Sequence, residues 1–133
     1  VPGVGPKTAL AYVLSVEDPT RFTRSRQLGS YFGLCPRQDQ SGASDPQCHI
    51  TKAGDGMVRR LLLQCAHYML GPFGQDTDLR RWAEAKVAHG GKAAKKRALV
   101  AVARRLAVLL HRLWVTGEIY DPLYLAQRTV PAT

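Results

Sequence analysis

The stretch KAAKKRALVAVARRLAVLLHRLWV, residues 92–115, predicts the longest helix of the chain and with it the fold class. Its large apolar side chains recur three or four residues apart, which places them in a sector of about 100° on one helix face. These residues are Leu99, Val102, Leu106, Leu109, Leu110 and Leu113. The arginines and His111 fall outside that sector. We therefore expect one face of the helix to pack and the other to meet solvent or phosphate.

Four shorter helices are expected upstream of this one, at about residues 6–14, 26–32, 56–70 and 77–88. Pro6 suits the first position of a helix, where its missing N–H is not needed. The residue types before the other three helices favour Ser25, Asp55 and Asp76 as their N-caps. Because no stretch alternates apolar and polar residues long enough to build a sheet, the predicted fold class is all-α.

Residues 34–56 have the composition of a long irregular loop, rich in glycine, proline, serine and aspartate. Loops of this length in compact domains are often functional. Ser41 precedes Gly42 in this loop, and a neighbouring glycine lets a bulky substrate come close. Arg37, Lys52 and Arg59 are the nearby cations in the sequence. On composition alone, a Ser–Gly pair indicates no more than a turn.

The positive charge of the chain is concentrated in one region. The chain carries 19 Lys and Arg residues against 10 Asp and Glu residues, a formal net charge of +9. Between residues 80 and 112 the only acidic residue is Glu84. A one-sided basic block favours a polyanionic partner, most simply nucleic acid, although a solvated helix face is the alternative. The candidate phosphate contacts in this block are Lys95, Lys96, Arg97, Arg104 and Arg105.

The N-terminal residues form a glycine-rich turn that leads into a helix. Gly3 and Gly5 permit a tight turn, and the free N–H groups at the start of a helix attract anions. Lys7 in the first helical turn adds a positive charge. The pattern Gly-Val-Gly-x-x-x-Ala resembles the hairpin of helix-hairpin-helix DNA-binding proteins, which grip the DNA backbone. The alternative is a glycine turn that simply packs.

Cysteine spacing and hydropathy exclude several classes of protein. Cys35, Cys48 and Cys65 include no pair at C-x-x-C spacing, so we predict neither a disulfide framework nor a zinc site, and a reducing cytoplasm is the expected compartment. No apolar run reaches the roughly 20 residues that a membrane span requires, so no membrane partner is expected.

Six short motifs occur in order along residues 1–70. They are Pro-Gly-Val-Gly-Pro-x-Thr-Ala from Pro2, Arg21-Phe22, Gly33-Leu34-x-Pro36, Ser41-Gly42, Ile50-x-Lys52-x-Gly54 and Arg59-x-Leu61-Leu62. Together they resemble the C-terminal domain of DEDD-type recombinases of the insertion-sequence one-ten family, which are related to the Piv DNA invertases. One departure is Gly54-Asp55-Gly56, where the family has Gly-Asn, although Asp caps a helix as well as Asn.

The resemblance implies a division of labour. Residues 1–133 would form a C-terminal transposase domain, which is a fragment of the full protein. The N-terminal RuvC-like domain, which has four acids that bind Mg²⁺, is absent from this fragment. No cofactor is therefore expected in residues 1–133. Ser41 would attack a DNA phosphate and form a phosphoserine link, with Arg37, Lys52 and Arg59 neutralising the phosphate. A structured bridge RNA would guide a prokaryotic, nucleoid-associated homo-oligomer with a composite active site. The fragment alone is predicted to be inactive.

Two other interpretations remain open at this point. The chain is alternatively a non-catalytic nucleic-acid-binding module, which requires only the glycine hairpin and the basic block. A third possibility is an interaction domain that dimerises through the apolar stripe of residues 99–113. Trp82 lies beside basic residues and is a candidate for base stacking, but packing is the favoured role.

Overall fold

A computed structural model describes residues 1–36, 50–88 and 90–124 of the chain. Within these ranges the secondary structure is helical apart from one isolated antiparallel bridge, so the all-α prediction is confirmed. The helices are α1 (Pro6–Val16), α2 (Gln27–Tyr31), α3 (Gly56–Leu70), α4 (Asp78–Val87) and α5 (Lys92–Thr116), with a 3₁₀ turn at Pro19–Arg21. None of these helices is both long and apolar enough to cross a membrane.

Helix α5 is the centre of the fold. It packs against α2, α3, α4 and the 3₁₀ turn, while α1 packs against α3. Val102 and Leu106, at the middle of the predicted stripe, are fully buried. The buried surface is wider than one stripe, because neighbours cover α5 from several sides and small side chains let them come close. The additional buried residues are Ala98, Ala101, Ala103, Ala107 and His111.

His111 was expected on the exposed face of α5, and that prediction is wrong, since the residue is only 2% exposed. Its Nε2 lies 2.9 Å from the carbonyl oxygen of Pro19, and its Nδ1 lies 2.7 Å from the hydroxyl of Ser25. Because a carbonyl oxygen only accepts, Nε2 is the donor, and in the neutral ring Nδ1 accepts from the hydroxyl. The imidazole therefore joins α5 to the segment between α1 and α2.

The same contact explains why Ser25 is not the N-cap of α2. The helix begins at Gln27, the N-cap position is Arg26, and no side chain caps it. The Ser25 hydroxyl faces His111 instead, since a buried imidazole nitrogen needs a hydrogen-bond partner more than an exposed helix end does.

Helix α3 begins as predicted. The carboxylate of Asp55 accepts hydrogen bonds from the backbone N–H groups of Met57, at 2.9 Å, and Val58, at 3.2 Å. Its apolar stripe is buried against α1 and α5, and Cys65 within it hydrogen-bonds to Thr8. Burial raises the pKa of the Cys65 thiol, so this cysteine is a packing residue rather than a nucleophile.

The predicted cap of α4 is wrong by one residue. Thr77 is the N-cap, and its buried hydroxyl accepts from the backbone N–H of Arg80 at 3.0 Å. The neighbouring Asp76 pairs with the exposed guanidinium of Arg81 at 2.8 and 2.6 Å, which lowers the pKa of the carboxyl group. Both residue types cap helices well, so the sequence alone could not separate two adjacent candidates.

The guanidinium of Arg80 binds backbone carbonyl oxygens at and just after the C-terminal end of α3. Its Nη1 donates to the carbonyl oxygens of Met69, Gly71 and Gly74, at 3.1, 2.7 and 2.9 Å. Its Nε donates to Glu84 at 2.8 Å. The last carbonyl groups of a helix lack partners within the helix, and Arg80 supplies the donor for that of Met69 in the last turn of α3.

We expect Arg80→Met to lower the free energy of unfolding by about 2–3 kcal/mol, because it removes the arginine donor from the carbonyl oxygens of Met69 and Gly74 and leaves Gly71 only the N–H of Gly74. Urea unfolding followed by circular dichroism measures the loss. The matched control is Arg81→Met, in which the adjacent, exposed arginine loses only its contact with Asp76; its midpoint should stay close to wild type. Equal midpoints for the two variants would contradict this role of Arg80.

Candidate functional site

Ser41, the predicted nucleophile, and Arg37, a predicted phosphate ligand, lie outside the described residues. The structure does describe the two pieces of chain on either side of residues 37–49. We call these pieces, residues 32–36 and 50–54, the neck. The neck joins α2 to α3, so its geometry determines where the intervening segment starts and ends.

The two sides of the neck are paired as a short antiparallel ladder. Pro36 forms an antiparallel bridge with Ile50. The backbone N–H of Thr51 donates to the carbonyl oxygen of Cys35 at 3.0 Å, and that of Lys52 donates to Gly33 at 3.1 Å. The chain therefore leaves the ladder at Pro36 and re-enters it directly opposite, at Ile50.

Two glycines make this close pairing possible. Gly33 and Gly54 both have positive φ, +71° and +77°. A Cβ on Gly33 would lie 2.3 Å from the backbone nitrogen of Ala53, and one on Gly54 would lie 2.1 Å from the carbonyl oxygen of Tyr31. Since neither backbone can move without opening the neck, only glycine fits at these positions.

Lys52 is one of two described residues other than glycine that have a positive φ, the second being Glu17. The φ of Lys52 is +55°, in the left-handed region that costs a residue with a Cβ about 1–2 kcal/mol. Its side chain is exposed, so packing does not repay that cost. Strained residues of this kind concentrate at functional sites. Lys52 is therefore a strained, exposed cation within the neck, two residues after Ile50.

Arg59 and Arg104, two predicted phosphate ligands, both lie against the backbone of the neck. Nη1 of Arg59 donates to the carbonyl oxygens of Phe32 and Ala53, at 3.3 and 3.0 Å. Nη1 of Arg104 reaches the carbonyl oxygen of Leu34 at 3.5 Å. The stem of Arg104 passes Gly29 so closely that a Cβ there would lie 2.8 Å from its Cγ. The sequence did not reveal these contacts.

Gly3 forms the predicted turn, with φ +91° and packed against Met69 of α3, whereas Gly5 has an extended backbone with φ −86°. Gly5 is the N-cap residue of α1, and no side chain caps the exposed start of this helix. Lys7 is exposed and lines a groove of about 350 Å³ between α1 and the start of α3. Asp55 lines the same groove, whereas Thr8, next to Lys7, contacts Cys65 farther along α3.

The remaining basic candidates lie on α5 and divide into two groups. Lys95, Lys96 and Arg97 form the N-terminal group, and Arg104 and Arg105 form the group near the middle of the helix. Lys95 and Lys96 line a largely apolar groove of about 460 Å³ between α3, α4 and α5, and Arg97 beside them is exposed. Arg97 is seven residues from Arg104, about 10 Å along the helix axis. The N-terminal group of cations is therefore separate from the neck.

Arg105 lies over the ring of Trp82, with its Cζ 3.7 Å from the ring centroid, and Lys86 lies 4.8 Å from it. Partial burial, and secondarily the neighbouring Arg104, lower the pKa of the Arg105 guanidinium. The stacked geometry agrees with the packing role favoured for Trp82. Among residues 1–36, 50–88 and 90–124, no three His, Cys, Asp or Glu side chains gather as a metal site would require.

Comparison with known proteins identifies the family of the chain. Residues 1–77, which include the neck and the segment with Ser41, match the family model described as "Transposase IS116/IS110/IS902 family". The transposase for insertion sequence element IS1111A of Coxiella burnetii (strain RSA 493 / Nine Mile phase I) is 38% identical over 121 residues, 90% of this chain and 32% of that protein.

A pilin gene-inverting protein of Moraxella bovis is 30% identical over 122 residues, 91% of this chain and 37% of that protein. The chain thus spans about a third of the length of these two relatives. The family model covers more than half of the chain, and the resemblance first suggested by the motifs is confirmed. The chain belongs to the IS116/IS110/IS902 family of transposases.

Proposed function

We propose that this chain is the part of a DNA transposase that binds nucleic acid and supplies Ser41 as the nucleophile for strand cleavage and exchange. The observation that carries the proposal is the family match over residues 1–77, which contains Ser41 together with a neck built for close pairing. The names of the two relatives, a transposase and a gene-inverting protein, both describe rearrangement of DNA.

The proposed step is a transesterification. The Oγ atom of Ser41 forms a bond to phosphorus while the bond from phosphorus to one deoxyribose oxygen breaks. The hydroxyl proton passes to a base, and the leaving oxygen takes up a proton. Negative charge accumulates on the phosphate oxygens during this step, so a nearby cation accelerates it. Arg37 and Lys52 are the cations proposed for that role, with Lys52 the described one.

The proposal also covers parts of the protein beyond this chain. Mg²⁺ held by the acids of a RuvC-like domain would polarise the phosphate, and no residue described here is assigned to that metal. A structured guide RNA and further copies of the protein are proposed partners. The exposed cations outside the neck, namely Lys7, Lys95, Lys96 and Arg97, would hold the nucleic-acid backbone.

Lys52→Gly is expected to leave the free energy of unfolding unchanged or raise it by up to about 1 kcal/mol, because glycine relieves the positive φ. DNA cleavage by the full-length protein should nevertheless fall about tenfold or more, since a cation at the phosphate is lost. The matched control is Glu17→Gly, which relieves the positive φ at the end of α1 and should keep its cleavage rate. Undiminished cleavage by Lys52→Gly would remove Lys52 from the proposal.

The experiment that tests the nucleophile is capture of the covalent intermediate. Full-length protein is incubated with DNA containing its recombination site, denatured and digested, and peptides carrying a nucleotide are mapped by mass spectrometry. We expect the nucleotide on the peptide with Ser41, and specifically on that serine rather than Ser44. Attachment to another residue, or recombination with no covalent adduct on a substrate that traps one, would overturn the proposal.

The second candidate function is a non-catalytic DNA-binding module of the helix-hairpin-helix kind. The uncapped, exposed start of α1 at Gly5, with Lys7 in its first turn, favours it. Each lost phosphate contact should lower the slope of log Kd against log salt by about 0.9. Both functions predict this dependence, so only the adduct separates them.

A further inference from the structure

We propose that Arg59 is a positioning residue for the nucleophile, not one of its phosphate ligands. Arg59 bridges the two sides of the neck, because one guanidinium nitrogen donates to Phe32 on one side and to Ala53 on the other. Holding these sides together keeps Pro36 opposite Ile50, where the segment with Ser41 begins and ends. The inference rests on the proposed function of Ser41.

Both ends of the Arg59 bridge lie at a helix. Arg59 is half-buried in the first turn of α3, a helix whose start is set by the Asp55 cap. Phe32 follows α2 directly, and its carbonyl oxygen is one of the helix-end acceptors without a partner inside the helix. The ring of Phe32 is fully buried in the core. Arg59 therefore ties the neck to the start of α3 on one side and to the end of α2 on the other.

The same contacts argue against a direct role at the phosphate. Nη1 directs its N–H groups to two carbonyl oxygens at 3.3 and 3.0 Å, so a phosphate oxygen that took one of these donors would break a contact with the neck. The neighbouring Arg60 is exposed and makes no hydrogen bond with any residue that the structure describes. Arg59 and Arg60 therefore carry the same charge on the same helix but differ in environment. This difference makes them a matched pair of test sites.

The experiment compares Arg59→Gln with Arg60→Gln in the full-length protein. Hydrogen exchange is measured at the amides of Thr51 and Lys52, which pair across the neck with Cys35 and Gly33. We expect Arg59→Gln to speed this exchange about tenfold or more and to lower kcat for strand cleavage by a similar factor. The Kd for DNA should change less than threefold. Arg60→Gln should leave the neck amides at their wild-type rate.

General destabilisation is controlled with Arg80→Met, which removes a comparable set of carbonyl contacts far from the neck. When its loss of global stability equals that of Arg59→Gln, Arg80→Met should not raise the exchange rates of the Thr51 and Lys52 amides above those of other amides. Arg59→Lys, which keeps one donor group, should restore part of kcat.

Several results would overturn the inference. Wild-type exchange at the neck in Arg59→Gln would show that the bridge is not needed. A large loss of DNA affinity with an unaltered neck would make Arg59 a phosphate ligand. If the neck amides of Arg59→Gln exchange faster while kcat stays at the wild-type value, the bridge is not needed for catalysis. An active Ser41→Ala protein would instead refute the proposed nucleophile, and because it leaves the exchange data unaffected, the two failures are distinguishable.

Discussion

Ser41→Ala is expected to lower strand exchange by the full-length transposase by about 10³-fold or more. Alanine has no hydroxyl, so the bond between protein and phosphorus cannot form, whereas the cations that bind DNA remain in place. Exchange is measured as recombinant product per unit time under single-turnover conditions. Because the substitution removes a hydroxyl group and no charge, DNA affinity should change little.

Ser44→Ala is the matched control, since it removes a second hydroxyl from the same glycine-containing segment. We expect it to retain strand exchange within a few fold of wild type. If Ser41→Ala keeps its activity, or if both variants lose activity equally, Ser41 is not the nucleophile. The chain would then retain only the nucleic-acid-binding function that its basic residues favour.

Phe32→Ala is expected to cost about 3–5 kcal/mol of stability, the range found for removal of a buried aromatic ring. Phe32 is fully buried, with its ring centroid 5.4 Å from that of Tyr12 and 5.0 Å from that of Tyr31. Domains of this kind are stable by only about 5–15 kcal/mol, so the loss is a large part of the total. The neck begins at this residue and should be lost as the core opens.

Urea unfolding measures the effect, with Phe73→Ala as the control. Phe73 is 81% exposed, so the same substitution there removes little buried area. Its unfolding midpoint should stay near that of wild type. A loss below about 1 kcal/mol for Phe32→Ala would show that the core around α2 does not stabilise the domain.

The sequence predicted the local features of the fold because local chemistry determines them. The central helix was predicted at residues 92–115 and is observed at Lys92–Thr116, since apolar spacing and the flanking glycines act within the helix itself. Asp55 was predicted as a cap and is one, because an N-cap contacts only the next turn. The order of short motifs likewise led to the family that the comparisons show.

The tertiary structure decided which polar groups meet across long stretches of chain. His111 is buried because Ser25 and Pro19, more than 80 residues away, supply its partners. Arg59 and Arg80 resemble solvated helix residues in the sequence, yet each binds backbone carbonyl oxygens left open by a neighbouring element. Lys52, which has a positive φ, pairs with Gly33 across the neck. Periodicity and residue type carry information over one or two turns of chain, and these contacts exist only after the helices pack.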